Sequence, residues 1–227
     1  MKIIVANWKM NGDFDLADRF IVEINAAKSP HTIVICPPAI LISRFVNFRY
    51  HLGAQNCFCE ESGAFTGENS PRLLKEAGCD YVILGHSERR SIFGESNELI
   101  FRKWDAAQAN RLIPIVCIGE KLEDRERWTE VMQEQLRLFL KAHIPSQGTI
   151  FAYEPVWSIG TGLVLNHKEI EDIFAVLKNL VGDGSPLLYG GSVNATNASD
   201  ILACTNVDGL LIGGASLRID EFLRIIS

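Results

Sequence analysis

Ile3-Ile4-Val5-Ala6-Asn7-Trp8-Lys9 opens the chain with an apolar run that stops abruptly in polar residues. Four branched or small apolar residues in succession, with no polar alternation, suit a strand covered on both faces. The same kind of run recurs at Ile33-Val34-Ile35, Leu52-Gly53-Ala54, Tyr81-Val82-Ile83-Leu84, Ile113-Pro114-Ile115-Val116, Thr149-Ile150-Phe151-Ala152, Pro186-Leu187-Leu188-Tyr189 and Gly209-Leu210-Leu211-Ile212. These are eight candidate strands, of the kind expected when parallel strands carry helices on one side and pack against one another on the other.

The intervening stretches have helical period, as in Leu16-Phe20-Ile24, Leu99-Ile100-Lys103-Trp104, Val131-Gln135-Leu138 and Ile170-Ile173-Phe174-Leu177. Strand and helix alternate throughout, and no linker, charge block or change of composition interrupts them. The pattern predicts an α/β fold with one domain over residues 1–227: a (β/α)8 barrel, its parallel sheet closed and its helices outside. A doubly wound sheet with a dinucleotide cofactor would carry G-x-G-x-x-G after an early strand, and a P-loop would carry a Walker lysine. Neither motif is present, so no cofactor is expected.

Composition narrows the partners. The 227 residues are 47% hydrophobic and 22% charged, which is ordinary for a globular chain, and the net charge is -6. An acidic chain lacks the concentrated basic surface that a nucleic acid or an acidic membrane would want, so any bound anion must be held locally. MKIIVANWKM has too short an apolar run for an export signal or a membrane span, and a soluble, cytoplasmic protein is expected. The six cysteines, Cys36, Cys57, Cys59, Cys79, Cys117 and Cys204, then read as reduced thiols. Cys57 and Cys59 are the only close pair, and without a second pair no metal site is expected. Asn194-Ala-Thr196 and Asn197-Ala-Ser199 carry no meaning as glycosylation sites in such a compartment.

Barrel active sites form at the C-terminal ends of the strands. The polar residues that follow the apolar runs therefore converge: Asn7 and Lys9 after the first, His86 and Glu88 after the fourth, Glu154 after the sixth, Ser192 after the seventh.

Five segments there resemble the triosephosphate isomerase family: Asn7-Trp8-Lys9; Gly85-His86-Ser87-Glu88-Arg89-Arg90; Tyr153-Glu154-Pro155-Val156-Trp157-Ser158-Ile159-Gly160-Thr161-Gly162; Tyr189-Gly190-Gly191-Ser192-Val193; and Gly213-Gly214-Ala215-Ser216-Leu217. They occur in the family's order from the first strand to the last helix. The resemblance implies a TIM barrel that interconverts dihydroxyacetone phosphate and D-glyceraldehyde 3-phosphate by proton transfer through an enediolate, in glycolysis and gluconeogenesis.

Such a reaction removes a proton beside a carbonyl and returns it to the next carbon, so one mobile carboxylate can serve both steps. Glu154 fits as the base, because Pro155 restricts it to extended backbone and presents its side chain stiffly. The enediolate needs a hydrogen-bond donor in a dry site, and His86 is that electrophile. A helix start beneath its ring would disfavour the imidazolium, and the resemblance implies a neutral imidazole. Lys9 supplies fixed positive charge, Asn7 binds substrate or orients Lys9, and Glu88 supports Lys9 as an ion-pair partner. Gly160, Ser192, Gly213 and Gly214 are implied as phosphate ligands, since backbone N–H groups at glycines approach an anion closely.

Pro155, Val156, Trp157, Ser158, Ile159, Gly160, Thr161 and Gly162 read as a hinged lid, with a rigid proline start, apolar residues to exclude water and glycines to absorb rotation. Glu61 through Pro71, with Phe65, Thr66, Gly67 and Glu68 at its tip, resembles the family's protruding third loop. That implies a homodimer in which Thr66 meets the neighbouring subunit near its Asn7 and Lys9. The chain is shorter than the roughly 250 residues usual for such barrels, with the trimming placed in helices and connections. Ser158 stands where alanine is commoner, the Cys57-Phe58-Cys59 triplet is unusual, and Cys117 is expected to pack behind the site. Two alternatives differ in chemistry: another phosphate-binding barrel enzyme would share the glycine-rich end without the His86 and Glu154 pairing, and a catalytically silent barrel acting as a binding protein would have lost Lys9, His86 or Glu154.

Overall fold

Every apolar run becomes a parallel strand. The computed structural model describes residues 1–142, 148–159 and 163–227. Its strands are β1 (Ile3–Asn7), β2 (Thr32–Cys36), β3 (His51–Ala54), β4 (Tyr81–Leu84), β5 (Ile113–Ile118), β6 (Ile150–Tyr153), β7 (Leu187–Tyr189) and β8 (Gly209–Ile212). They pair in chain order, and β8 pairs back on β1 to close a barrel. At the closing seam Ile3 stands opposite Gly209. A Cβ there would lie 1.9 Å from the Ile3 carbonyl oxygen, so only glycine lets the last strand seat against the first.

The lack of polar alternation has a direct cause. Val5, Val34, Ile83, Ile115, Leu188 and Leu211 form a cluster made of strand residues, the filling of the barrel. Their neighbours Ile4, Ile33, Ile35, Val82, Leu84 and Leu210 join a second cluster with helix residues such as Phe20, Ile24, Leu136 and Phe174. Both sheet faces are therefore dry, and each of these large side chains contributes about 1.5–3 kcal/mol by leaving water.

The outer layer comprises α1 (Phe14–Ala26), α2 (Pro71–Glu76), α3 (Ser87–Ser91), α4 (Asn97–Ala109), α5 (Trp128–Lys141), α6 (His167–Val181), α7 (Ala198–Ala203) and α8 (Ile219–Ile226). Between β2 and β3 the connection is a 3-10 segment, Ala39–Phe45, and α7 has six residues. Asp13 starts α1 by accepting from the Leu16 N–H at 2.8 Å, and Asn166 with Glu169 forms a reciprocal cap on α6. The expected apolar stripe is buried in α6, and in α1 at Phe20 and Ile24, with Leu16 half-buried. In α4, Leu99 is half-buried, and Lys103 is buried as an ion rather than as a packing residue. In α5 the deep face is Met132, Leu136 and Phe139 instead of Val131, Gln135 and Leu138. The expected stripe sits one residue off because Gln135 is occupied elsewhere: it clasps both the N–H and the C=O of Gly119 at 2.9 Å.

All six cysteines are free thiols. Among the described residues, no helix is long and apolar enough to cross a membrane, and no group of three or more His, Cys, Asp or Glu side chains could hold a metal ion.

Candidate active site

A cavity of about 410 Å³ opens at the C-terminal ends of the strands. Asn7, Lys9, His86, Glu154, Ser192, Gly213 and Gly214 all line it, together with Ile159. Glu88 stands at its edge, in the wall of an adjoining cavity of about 320 Å³. Gly160, Thr161 and Gly162 lie outside the described residues.

Lys9 reaches this mouth through strained backbone. Its φ is +54°, a left-handed conformation that costs a side-chain-bearing residue roughly 1–2 kcal/mol. Three hydrogen bonds hold it. The Lys9 N–H donates to Asn7 Oδ1 at 3.0 Å, and Gln55 Nε2 donates to the carbonyls of Lys9 (2.8 Å) and Cys36 (2.9 Å). The ammonium then meets Glu88 Oε1 at 2.8 Å and lies across from Gly213, whose missing Cβ would come 3.4 Å from Lys9 Cε. Asn7 thus orients Lys9, and Glu88 pairs with it.

Glu154 follows β6, its N–H bonded to the Ile118 carbonyl at 2.7 Å and its side chain enclosed. Oε1 accepts from His86 Nε2 at 2.9 Å and Oε2 from the Ser87 N–H at 2.9 Å. Burial opposes the carboxylate charge, but His86 and the Ser87 amide outweigh it and hold the carboxyl below its usual range. On His86, burial works against the imidazolium, yet the adjacent Glu154 prevails and lifts the imidazole above its ordinary value. In this arrangement the carboxylate therefore works against the neutral ring that the resemblance implies. On the other nitrogen, the Glu88 N–H points at Nδ1 at 3.3 Å, which favours a lone pair there, while the Glu88 carboxylate Oε2 lies 3.5 Å from the same atom.

The segment after Pro155 is pinned at two places. A short 3-10 turn spans Val156–Ser158. Trp157 Nε1 donates to Glu120 Oε1 at 3.0 Å, and the Arg125 guanidinium covers the Trp157 ring at 5.2 Å. The indole is therefore directed at Glu120, and among the described residues after Pro155 it is Ile159 that lines the cavity. Ser158, the departure from alanine, is buried and takes part directly: its carbonyl accepts from Ser192 Oγ at 2.6 Å, and its hydroxyl receives the Ser192 N–H at 3.4 Å.

The Glu61–Pro71 loop is exposed at Phe65, Thr66, Gly67 and Glu68. Phe65 packs against Phe58 with the rings tilted by 45° and 4.5 Å between centroids, so the triplet Cys57-Phe58-Cys59 supplies the loop's apolar footing. Gly67 and Glu68 border the adjoining cavity beside Asn7 and Lys9. Cys117 is buried in the barrel filling, behind the site.

Several contributors escaped the sequence reading. Gln55, Glu120 and Gly119 act through contacts that no local pattern announces. Arg218, in the cavity wall, stands one residue past the glycine-rich motif that ends at Leu217. Gly190, within the recognised Tyr189–Val193 segment, matters because a Cβ would stand 3.0 Å from Glu154 Cγ.

A triosephosphate isomerase family model matches residues 2–227. Similar proteins include triosephosphate isomerases from Halorhodospira halophila (43% identical, covering 99% of this chain and 96% of the relative), from Ruegeria sp. (42%, 100% and 97%) and from Chlamydia muridarum (42%, 98% and 89%).

Proposed function

The chain belongs to the triosephosphate isomerase family and is an isomerase of dihydroxyacetone phosphate and D-glyceraldehyde 3-phosphate; from that premise we propose that Glu154 is its base, His86 its electrophile and Lys9 its fixed charge. The observation that carries this reading is the 2.9 Å contact between His86 Nε2 and Glu154 Oε1 at the wall of one cavity with Lys9. A donor and a carboxylate that touch each other without substrate are placed to act on adjacent atoms of one.

In the proposed cycle the substrate carbonyl takes the place of the Glu154 oxygen at His86 Nε2. The charge that raises the ring's pKa then withdraws, and the Glu88 amide at Nδ1 leaves a neutral imidazole to stabilise the enediolate. The released carboxylate lifts the proton from one carbon and returns it to the next. Lys9 answers the developing negative charge, and backbone N–H groups at Ser192, Gly213 and Gly214, with Gly160, hold the phosphate. No observation favours another phosphate-binding barrel enzyme or a silent binding protein. The test is a coupled isomerase assay of the wild type beside Glu154→Gln: kcat falls by about 10²–10⁴, and equal activities would overturn the assignment of the base.

The residues from Pro155 through Gly162 act in this proposal as a lid that keeps water from the enediolate. Deleting its tip leaves folding intact and raises elimination to methylglyoxal, and an unchanged product ratio refutes the role. The exposed Phe65–Glu68 tip and the cavity beside Asn7 and Lys9 support a homodimer in which each fills the other. The place of action is the cytoplasm, with flux in the glycolytic and gluconeogenic directions.

A further inference from the structure

Away from the barrel mouth, a second group of reactive side chains lies between α6 and α7. Cys204, which ends α7, has its Sγ 3.4 Å from His167 Nδ1, and His167 Nε2 lies 3.5 Å from Glu171 Oε1. Glu171 is itself fixed: the N–H and hydroxyl of Thr205 donate to its Oε1 at 3.0 and 2.7 Å, and these bonds hold its carboxyl below the usual range. Thiol, imidazole and carboxylate thus stand in series, the order of nucleophile, base and orienting group. Burial, reinforced by Glu171 and Asp200, pushes the Cys204 thiol up, so the sulfur keeps its proton until a base removes it.

The series borders a cavity of about 300 Å³ whose wall includes Val164, Leu165, Ile170 and Ile201. That volume is at the lower end of small-ligand sites, which run from roughly 300 to 1,000 Å³. It shares no lining residue with the cavity that holds Glu154. A mostly apolar wall around one thiol, with Asn197 and the Asp200 carboxylate as its other polar members and a base in reach, selects a particular kind of molecule: without negative charge, small and soft at its electrophilic atom.

We propose that this cavity is a covalent binding site for small apolar α,β-unsaturated carbonyl compounds, with Cys204 as nucleophile and His167 as its base. His167 Nδ1 takes the thiol proton while the sulfur electron pair forms a bond to the β-carbon. The carbon–carbon π pair moves onto the carbonyl as an enolate, and the imidazolium returns the proton to the α-carbon. The product is a thioether; nothing is oxidised or reduced, and no group leaves.

The test uses trans-2-hexenal on the full chain, with adduct positions read by peptide mass mapping. Cys59 is the internal reference, being half-buried while the other cysteines are buried, and so the more open thiol. Exposure alone puts Cys59 first; the site puts Cys204 first with the enal, and reverses the order with charged iodoacetate. His167→Asn slows the Cys204 adduct by about tenfold or more and leaves the Cys59 rate unchanged. The capping pair Asn166 and Glu169 remains in that variant, and its circular dichroism should match the wild type. Enal labelling of Cys59 ahead of Cys204, or a Cys204 rate indifferent to His167→Asn, overturns the proposal.

Discussion

A Cβ on Gly119 would stand 1.7 Å from the carbonyl oxygen of Glu154. The ends of β5 and β6 therefore meet backbone to backbone at the residue proposed as the base, with Gln135 holding the Gly119 peptide from behind. Nothing flexible can yield, so alanine must displace the Glu154 peptide unit itself. Gly119→Ala is expected to lose about 1–3 kcal/mol of stability and to lower kcat by tenfold or more, since a shift of about 1 Å at a catalytic group can cost about 10²-fold. Urea unfolding and a coupled assay check both, and a variant that matches the wild type in each shows the contact to be soft.

The His86–Glu154 pair confines its stabilising effect to a definite pH window. Glu154 titrates in the fold below its ordinary 4.5, so its contribution is present above that value and lost as pH falls through the lowered one. His86 titrates above its ordinary 6.5, so its contribution is present below 6.5 and lost as pH rises through the raised value. Both contribute in full between 4.5 and 6.5. The Tm difference between the wild type and Glu154→Gln is expected to be widest there and to narrow on either side. A difference that does not vary with pH would show that the pair carries no proton-linked stability.

All eight strands were legible because burial on both faces removes polar residues from the strand and leaves them only at its end. The same punctuation exposed Asn7, Lys9, His86, Glu154 and Ser192. What stayed hidden depends on distance in space rather than along the chain. Gln55 holds Lys9 from 46 positions away, and its type says nothing of that. Glu120 is a buried carboxyl whose three donors, Tyr153, Trp157 and Arg125, come from three different segments of the chain. In α5 the two candidate stripes are one residue apart and equally periodic; the choice between them turned on whether Gln135 had a backbone to bind. The neutral state expected of His86 was argued from its own helix and left out the carboxylate across the barrel mouth.

Thr66 sits at the tip of an exposed loop whose footing, Phe65 on Phe58, is already satisfied within the subunit. The tip is thus presented without being needed for the loop's own shape. Sedimentation equilibrium is expected to give twice 25.3 kDa for the wild type, and Thr66→Arg, too long and charged for a complementary cavity, is expected to shift the mass toward the monomer. A monomeric wild type would sink the homodimer.

Glu120 offers the sharpest separation of structure from catalysis. Its side chain is fully enclosed and accepts from the Tyr153 hydroxyl at 3.0 and 3.1 Å, from Trp157 Nε1 at 3.0 Å and from Arg125 Nη1 at 3.1 Å. Burial, with the Glu120 charge second, pushes the Tyr153 phenol far up, so it remains a donor across the physiological range. Glu120→Gln keeps the volume but turns one acceptor toward these donors into an N–H₂ group. Arg125 is partly open to water, so the expected cost is about 1–3 kcal/mol. Trp157→Phe removes one neutral donor and costs about 1 kcal/mol. If the indole bond anchors the segment that carries Ile159 to the cavity, the two changes are not additive: with Glu120→Gln in place, Trp157→Phe has little further effect on kcat/KM. Strictly additive losses in a double-mutant cycle would mean that Glu120 supports the barrel and leaves the lid to other contacts.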